Sequence, residues 1–171
     1  MSLSLGRPRG AHLGRRTGVI MTKPTESDST HRIAVMQVDD AHVHVWDLDA
    51  RDQPWIPAAS PIRRSFSLAD LRAEIADTPI ERVVLVQVID DADETADFLT
   101  HAESEDWVAG VVGWADVGAA TFGEVLAMLR DRRSLGIRHQ ALVEPDPAAW
   151  LTSPAVQRGL AEHDRRDCPS T

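Results

Sequence analysis

Eight consecutive residues constrain this chain more than any others. Arg82-Val83-Val84-Leu85-Val86-Gln87-Val88-Ile89 is an almost unbroken run of apolar, mostly β-branched side chains. A strand with one wet face alternates; a strand without alternation is covered on both faces, as in parallel sheets. Parallel neighbours need long crossovers, usually helices, and the flanking sequence supplies them. A first strand is expected from Val35 to about Trp46, a third over Val108–Trp114 and a shorter fourth over Leu135–His139. Between them, Ser67 can cap a helix bearing Leu68, Leu71 and Ile75 on one face. Asp90 or Asp91 opens a second helix with Thr95 and Leu99 inward, and Thr121 begins a third with Val125, Leu126 and Leu129. Ser153-Pro154 is a cap followed by proline at the first helical position, opening a fourth helix through Val156 and Leu160.

The order is α/β, with four strands alternating with four helices and right-handed crossovers. Two architectures fit: an open doubly wound sheet and a (β/α)8 barrel. No G-x-G-x-x-G follows the first strand, so the dinucleotide-binding open sheet lacks its main support. A barrel uses about 31 residues per unit, and residues 38–171 then hold about the first four β/α units. The expected organisation is a disordered basic leader over 1–34, half a barrel over 35–161 and a polar tail over 162–171.

Composition narrows the function. The leader carries Arg7, Arg9, Arg15, Arg16, Lys23 and Arg32 against Glu26 and Asp28, while the net charge of the whole chain is −9. The body is therefore strongly acidic and repels phosphate backbones, which argues against nucleic acid as a partner. No run approaches the ~18 apolar residues of a membrane span. The one cysteine, Cys168, cannot form a disulfide within the chain, which favours a reducing compartment and a cytoplasmic location.

In a parallel sheet the chemistry gathers at the carboxyl ends of the strands. The first strand ends Ala41-His42-Val43-His44-Val45-Trp46-Asp47. Period-two geometry puts His42, His44 and Trp46 on one face and Ala41, Val43 and Val45 on the other. Two imidazoles so placed can converge on one cation at ~2.0–2.1 Å. His-x-His alone is a weak motif; its place at the end of an opening strand gives it weight. Gln87 interrupts the second strand near its carboxyl end, either as a buried amide tied to a neighbour or as a pocket group. Arg138 could hold a substrate carboxylate through paired hydrogen bonds or simply pair with an acidic neighbour. His139 is a candidate base, ligand or donor. The acidic runs Asp90–Glu94 and Glu144-Pro145-Asp146-Pro147 read as a helix start and a loop.

Val38-Asp39-Asp40-Ala41-His42-Val43-His44-Val45-Trp46-Asp47-Leu48, followed by Pro54-Trp55-Ile56, resembles the amidohydrolase-related family (amidohydrolase 2), in its branch of metal-dependent hydrolases that includes sugar-lactone lactonases. The likeness continues through Val86-Gln87, Val108–Trp114, Gly136-Ile137-Arg138-His139-Gln140, Glu144–Pro147 with Trp150-Leu151, and Arg158-Gly159-Leu160. The resemblance implies a (β/α)8 TIM barrel that opens small lactones or cleaves related bonds with activated water. It implies a divalent metal, zinc foremost, on His42 and His44, although some lactonases of this branch work without metal. It also implies a catalytic His139 and a substrate pocket lined by Arg138, Gln87 and Trp46. Family members continue with four more units, including a later histidine and an eighth-strand aspartate. The pattern stops here after Leu160, so a C-terminally truncated chain is expected, with impaired activity and self-association through open barrel edges. The alternative is a non-catalytic fragment or binding module that keeps only the scaffold.

Overall fold

The computed structural model describes residues 38–130 and 132–167. The expectations for the leader, the start of the first strand at Val35 and Cys168 lie outside the described residues. Four strands, β1 (Val38–Val43), β2 (Ile80–Val86), β3 (Val108–Gly113) and β4 (Ser134–Ile137), form one sheet in the order β1-β2-β3-β4. Every pairing is parallel, with Val43 opposite Leu85, Leu85 opposite Val111 and Val112 opposite Gly136. Helices α1 (Leu68–Glu74), α2 (Ala92–Ser104) and α3 (Phe122–Leu129) fill the crossovers. A 3₁₀ turn (Ala141–Val143), α4 (Pro147–Thr152) and α5 (Pro154–Asp167) follow β4. The fold is α/β, four β/α units of the (β/α)8 type.

Local chemistry explains the helix starts. Ser67 and Asp70 form a reciprocal capping box at α1. The Asp91 carboxylate accepts from the Asp93 and Glu94 N–H groups at α2, and Ser153 Oγ accepts from Val156 N at 3.3 Å at α5. Thr121 stands at the start of α3 without a side-chain cap bond.

Val83, Leu85, Val108 and Val111 are fully buried on the helix-covered face, against Phe98, Leu99 and Ala102 of α2. Each such side chain contributes about 1.5–3 kcal/mol by leaving water. A smaller cluster of Ala115, Val117, Phe122 and Val156 anchors α3 and α5. Two glycines allow the close approaches. A Cβ at Gly159 would overlap the Val117 backbone where α5 crosses it, and one at Gly113 would overlap the Thr95 side chain. On the opposite face Val84, Ala109 and Val112 are only half-buried.

Several boundaries differ from the sequence expectation. β1 ends at Val43 because Trp46 turns its backbone to Phe66, exchanging N–H···O bonds of 3.0 and 2.8 Å. β2 starts at Ile80 and stops before Gln87. The stretch read as a loop at Glu144–Pro147 instead launches α4, where Asp146 caps Ala149 N at 2.9 Å and Pro147 takes the first position. The polar tail is helical as far as Asp167. Among the described residues, no helix is long and apolar enough to cross a membrane.

Candidate functional site

The carboxyl ends of the four strands carry the polar groups, and the structure divides them into two clusters. At the end of β1, His42 Nε2 and His44 Nε2 stand 3.1 Å apart with ring centroids 4.9 Å apart. Both residues are exposed. His44 Nδ1 lies 2.9 Å from the Val86 carbonyl oxygen. A carbonyl only accepts, so Nδ1 carries the proton and Nε2 presents its lone pair towards His42. Burial of the inner edge of the ring lowers the His44 pKa. The Val86 bond opposes that, and the positive charges of His42 and Arg138 lower it further. His44 is therefore neutral at pH 7.

The neighbouring strands complete this side. Gln87 is fully buried; its amide N–H₂ donates to Asp90 Oδ1 and the Arg138 carbonyl, each at 3.3 Å. Its Oε1 accepts from Gln140 Nε2 at 3.2 Å, and Gln140 also donates to the Val88 carbonyl at 2.9 Å. Arg138 Nη1 donates to the Gln87 carbonyl at 3.2 Å, which leaves other N–H groups of its guanidinium unengaged by that bond. His44, Trp46, Trp55, Asp90, Arg138 and Gln140 border a cavity of about 520 Å³. Trp46 is held as a wall: its Nε1–H donates to the Arg64 carbonyl at 2.8 Å and its ring packs edge-on against Trp55. Arg63 secures the long β1–α1 connection by donating to the Gln53 and Ile56 carbonyls.

The second cluster is closed on itself. Trp114 Nε1–H donates to His139 Nδ1 at 3.3 Å, so that nitrogen is the acceptor and Nε2–H donates to Glu144 Oε1 at 2.8 Å. The Trp150 ring stacks on the imidazole at 4.0 Å and 7°. Trp114 is itself fixed, because Thr95 Oγ1 accepts from its N–H at 2.7 Å and donates to its carbonyl at 3.1 Å. Where the sequence offers His139 as a catalytic group, the structure gives both ring nitrogens partners within the protein.

Of the residues singled out from sequence, His42, His44, Gln87, Trp46 and Arg138 are brought to one side of the rim, and His139 sits in its own cluster. Gln140, Asp90, Glu144 and Trp150 belong to these networks and were not assigned roles from sequence. Gln140 had a signal in directly following Arg138-His139 at a strand end; Glu144 and Trp150 had none beyond a loop-like composition.

The pair His42–His44 fits a shared cation. Two nitrogens bound to one ion at about 2.0–2.1 Å lie no more than about 4.2 Å apart, and these lie closer. The Nδ1–H to carbonyl bond of His44 is the kind of support that orients metal-binding imidazoles. Among the described residues, no group of three or more His, Cys, Asp or Glu side chains is placed to hold a metal ion.

No protein-family model matches the chain. The L-fucono-1,5-lactonase of Burkholderia ambifaria is 32% identical over 125 residues, covering 71% of this chain and 42% of that protein. The L-fucono-1,5-lactonase of Burkholderia multivorans is 34% identical over 123 residues, with the same two coverages. Among solved structures, an amidohydrolase from Burkholderia multivorans with bound zinc superposes with a TM-score of 0.71 at 32% identity. That match covers 77% of this chain and 47% of that one. The chain spans less than half the length of the curated relatives it matches.

Proposed function

We propose that the chain belongs to the amidohydrolase-related family and that its rim is part of a site that hydrolyses a small sugar lactone. The observation that carries this reading is the His42–His44 pair, Nε2 to Nε2 at 3.1 Å, of which His44 borders, together with Arg138, a cavity of about 520 Å³. The similarity to two L-fucono-1,5-lactonases supports a lactone as substrate, and the zinc in a similar amidohydrolase supports a divalent metal. His42 and His44 would hold that ion, which when bound supplies a Lewis acid and lowers the pKa of bound water. The chain's own groups do the rest. The neutral His44 offers a lone pair, fixed in direction by Val86. Arg138, tethered to the Gln87 carbonyl, turns its remaining N–H groups to the ester carbonyl or the hydroxyls of the substrate. Gln87 and Gln140 hold that arginine's strand end in register. Trp46 and Trp55 form an apolar wall for the sugar ring. His139 acts here as a positioning residue, since either nitrogen must first give up Trp114 or Glu144 to take part in proton transfer. A cytoplasmic enzyme accords with the single cysteine.

A second reading has its own support. The described residues offer two imidazoles where a catalytic zinc usually has three protein ligands, which favours a scaffold that binds without turnover. We expect the 171-residue chain alone to hydrolyse lactones slowly for the same reason. Acid release from L-fucono-1,5-lactone, followed in a pH-stat with and without zinc, separates the two readings. Turnover abolished in His42→Ala supports the hydrolase; stoichiometric zinc binding with no acid release supports the binding module. Full turnover retained in His42→Ala would end both assignments of the histidine pair.

A further inference from the structure

Besides the cavity at the rim, the structure holds a further and larger hollow. It is bordered by the start of the β1–α1 connection, the head of α1 and one side of α2, and measures about 700 Å³. Small-molecule sites span roughly 300–1,000 Å³. Every residue that borders it falls between Val45 and Glu105, so its walls depend on neither end of the chain. Trp46, Phe66 and Phe98 give it an aromatic lining, and Trp46 also borders the rim cavity of about 520 Å³.

Two buried polar side chains border this hollow with hydrogen-bonding capacity to spare. Gln53 is fully buried. Its Oε1 accepts from the Trp55 Nε1–H at 2.8 Å, which fixes the other end of the amide as N–H₂. That nitrogen is closed to solvent and has no hydrogen-bond partner, alone in this among the buried side-chain atoms of the described residues. A buried donor without an acceptor is costly and uncommon. Glu94 is nearly as buried and spends Oε2 on the Val88 and Ile89 N–H groups; Oε1 takes neither.

Charge limits what can enter. Asp47, Asp49, Glu94, Asp97 and Glu105 all border the hollow. Arg51, on the same wall, is already bonded to Asp91 at 3.2 Å and Asp97 at 2.8 Å, and His101 is exposed. An anion is repelled here. A cation brings only donors and leaves Gln53 Nε2 without an acceptor. An uncharged amide brings both missing parts, a carbonyl oxygen and an N–H.

We propose that this hollow binds a small uncharged amide with an apolar body. Its carbonyl oxygen accepts from Gln53 Nε2, its N–H donates to Glu94 Oε1, and its hydrocarbon part packs among Trp46, Phe66 and Phe98. A small shift of the connecting loop opens the Gln53 nitrogen to the ligand. This inference rests on these residues and not on the lactonase reading.

Benzamide titrated into the isotope-labelled full chain, followed by nuclear magnetic resonance without zinc or lactone, tests it. The Gln53 side-chain N–H₂ and Trp46 indole N–H signals should shift together and saturate. N,N-Dimethylbenzamide, which lacks the N–H, should bind about threefold more weakly, and toluene, benzoate and benzylamine about tenfold or more. Gln53→Met should weaken benzamide about fivefold while toluene affinity stays within about twofold. Should that variant not fold, the ligand series probes the same contacts in the unaltered chain. The proposal is overturned by no saturable shift at Gln53 and Trp46, or by N,N-dimethylbenzamide, toluene, benzoate or benzylamine binding as well as benzamide. Unchanged benzamide affinity in folded Gln53→Met overturns it too.

Discussion

The two halves of the rim hold histidines in opposite states. His42 and His44 are exposed and point nitrogens at each other across 3.1 Å. His139, its side chain 11% exposed, has a tryptophan N–H on one nitrogen, a glutamate on the other and an indole on its face. The same side chain is a prospective ligand in one place and a structural fixture in the other. What separates them is exposure and the choice of partner: the His42 and His44 rings meet each other at the surface, whereas His139 is enclosed by groups from other segments and must break those bonds to reach a substrate.

Substitutions can break that contrast. The largest effect is expected from His42→Ala, which should weaken zinc binding about a hundredfold or more by calorimetry, roughly 2.7 kcal/mol, while the melting temperature stays put. His139→Ala should do the reverse, costing about 2 kcal/mol of stability in urea through the lost stack and two unpaired neighbours. Its zinc affinity should stay within about twofold, and a loss comparable to His42→Ala would erase the distinction. In α2, behind the end of β2, Glu94 is 3% exposed, and its carboxylate accepts the Val88 and Ile89 N–H groups at 2.8 and 3.3 Å. Glu94→Leu should cost about 1.5 kcal/mol by orphaning those donors.

Burial raises the Glu94 pKa above the ordinary carboxylate value, against the pull of its two backbone bonds. The folded state therefore binds this proton more tightly than the unfolded chain does. The resulting stabilisation is complete below the unfolded value and is lost as pH rises through the folded one. Glu94→Gln keeps the acceptor without the charge, so its unfolding free energy should be flatter across that window. An unaltered pH profile would mean that the carboxylate is ionised at little cost. The smallest effect is expected from Glu144→Gln. It keeps an acceptor for His139 and should cost less than about 1 kcal/mol, which sharpens the view that geometry rather than charge holds this cluster.

Much of the scaffold was legible in the sequence. The run Val83–Ile89 read as a strand covered on both faces between parallel neighbours; the neighbours are there, while Val84 on the second face is only half-buried. The capping residues Ser67, Asp91 and Ser153 marked helix starts through bonds formed within a few residues. The His-x-His pair was legible for the same reason, since period two fixes which side chains share a face. Helix α4 was not, because Pro145 and Pro147 bracket Asp146 in a composition shared by loops and helix starts. The partners of His139 were invisible as well: Trp114, Glu144 and Trp150 come from β3, a loop and α4.

The sequence alone therefore determined what depends on near neighbours: the alternation of strand and helix, their parallel order, and the side of β1 on which two imidazoles emerge. Only the tertiary structure decided which imidazoles stay together at the surface and which is enclosed between Trp114, Glu144 and Trp150, because that depends on groups delivered from distant segments by packing.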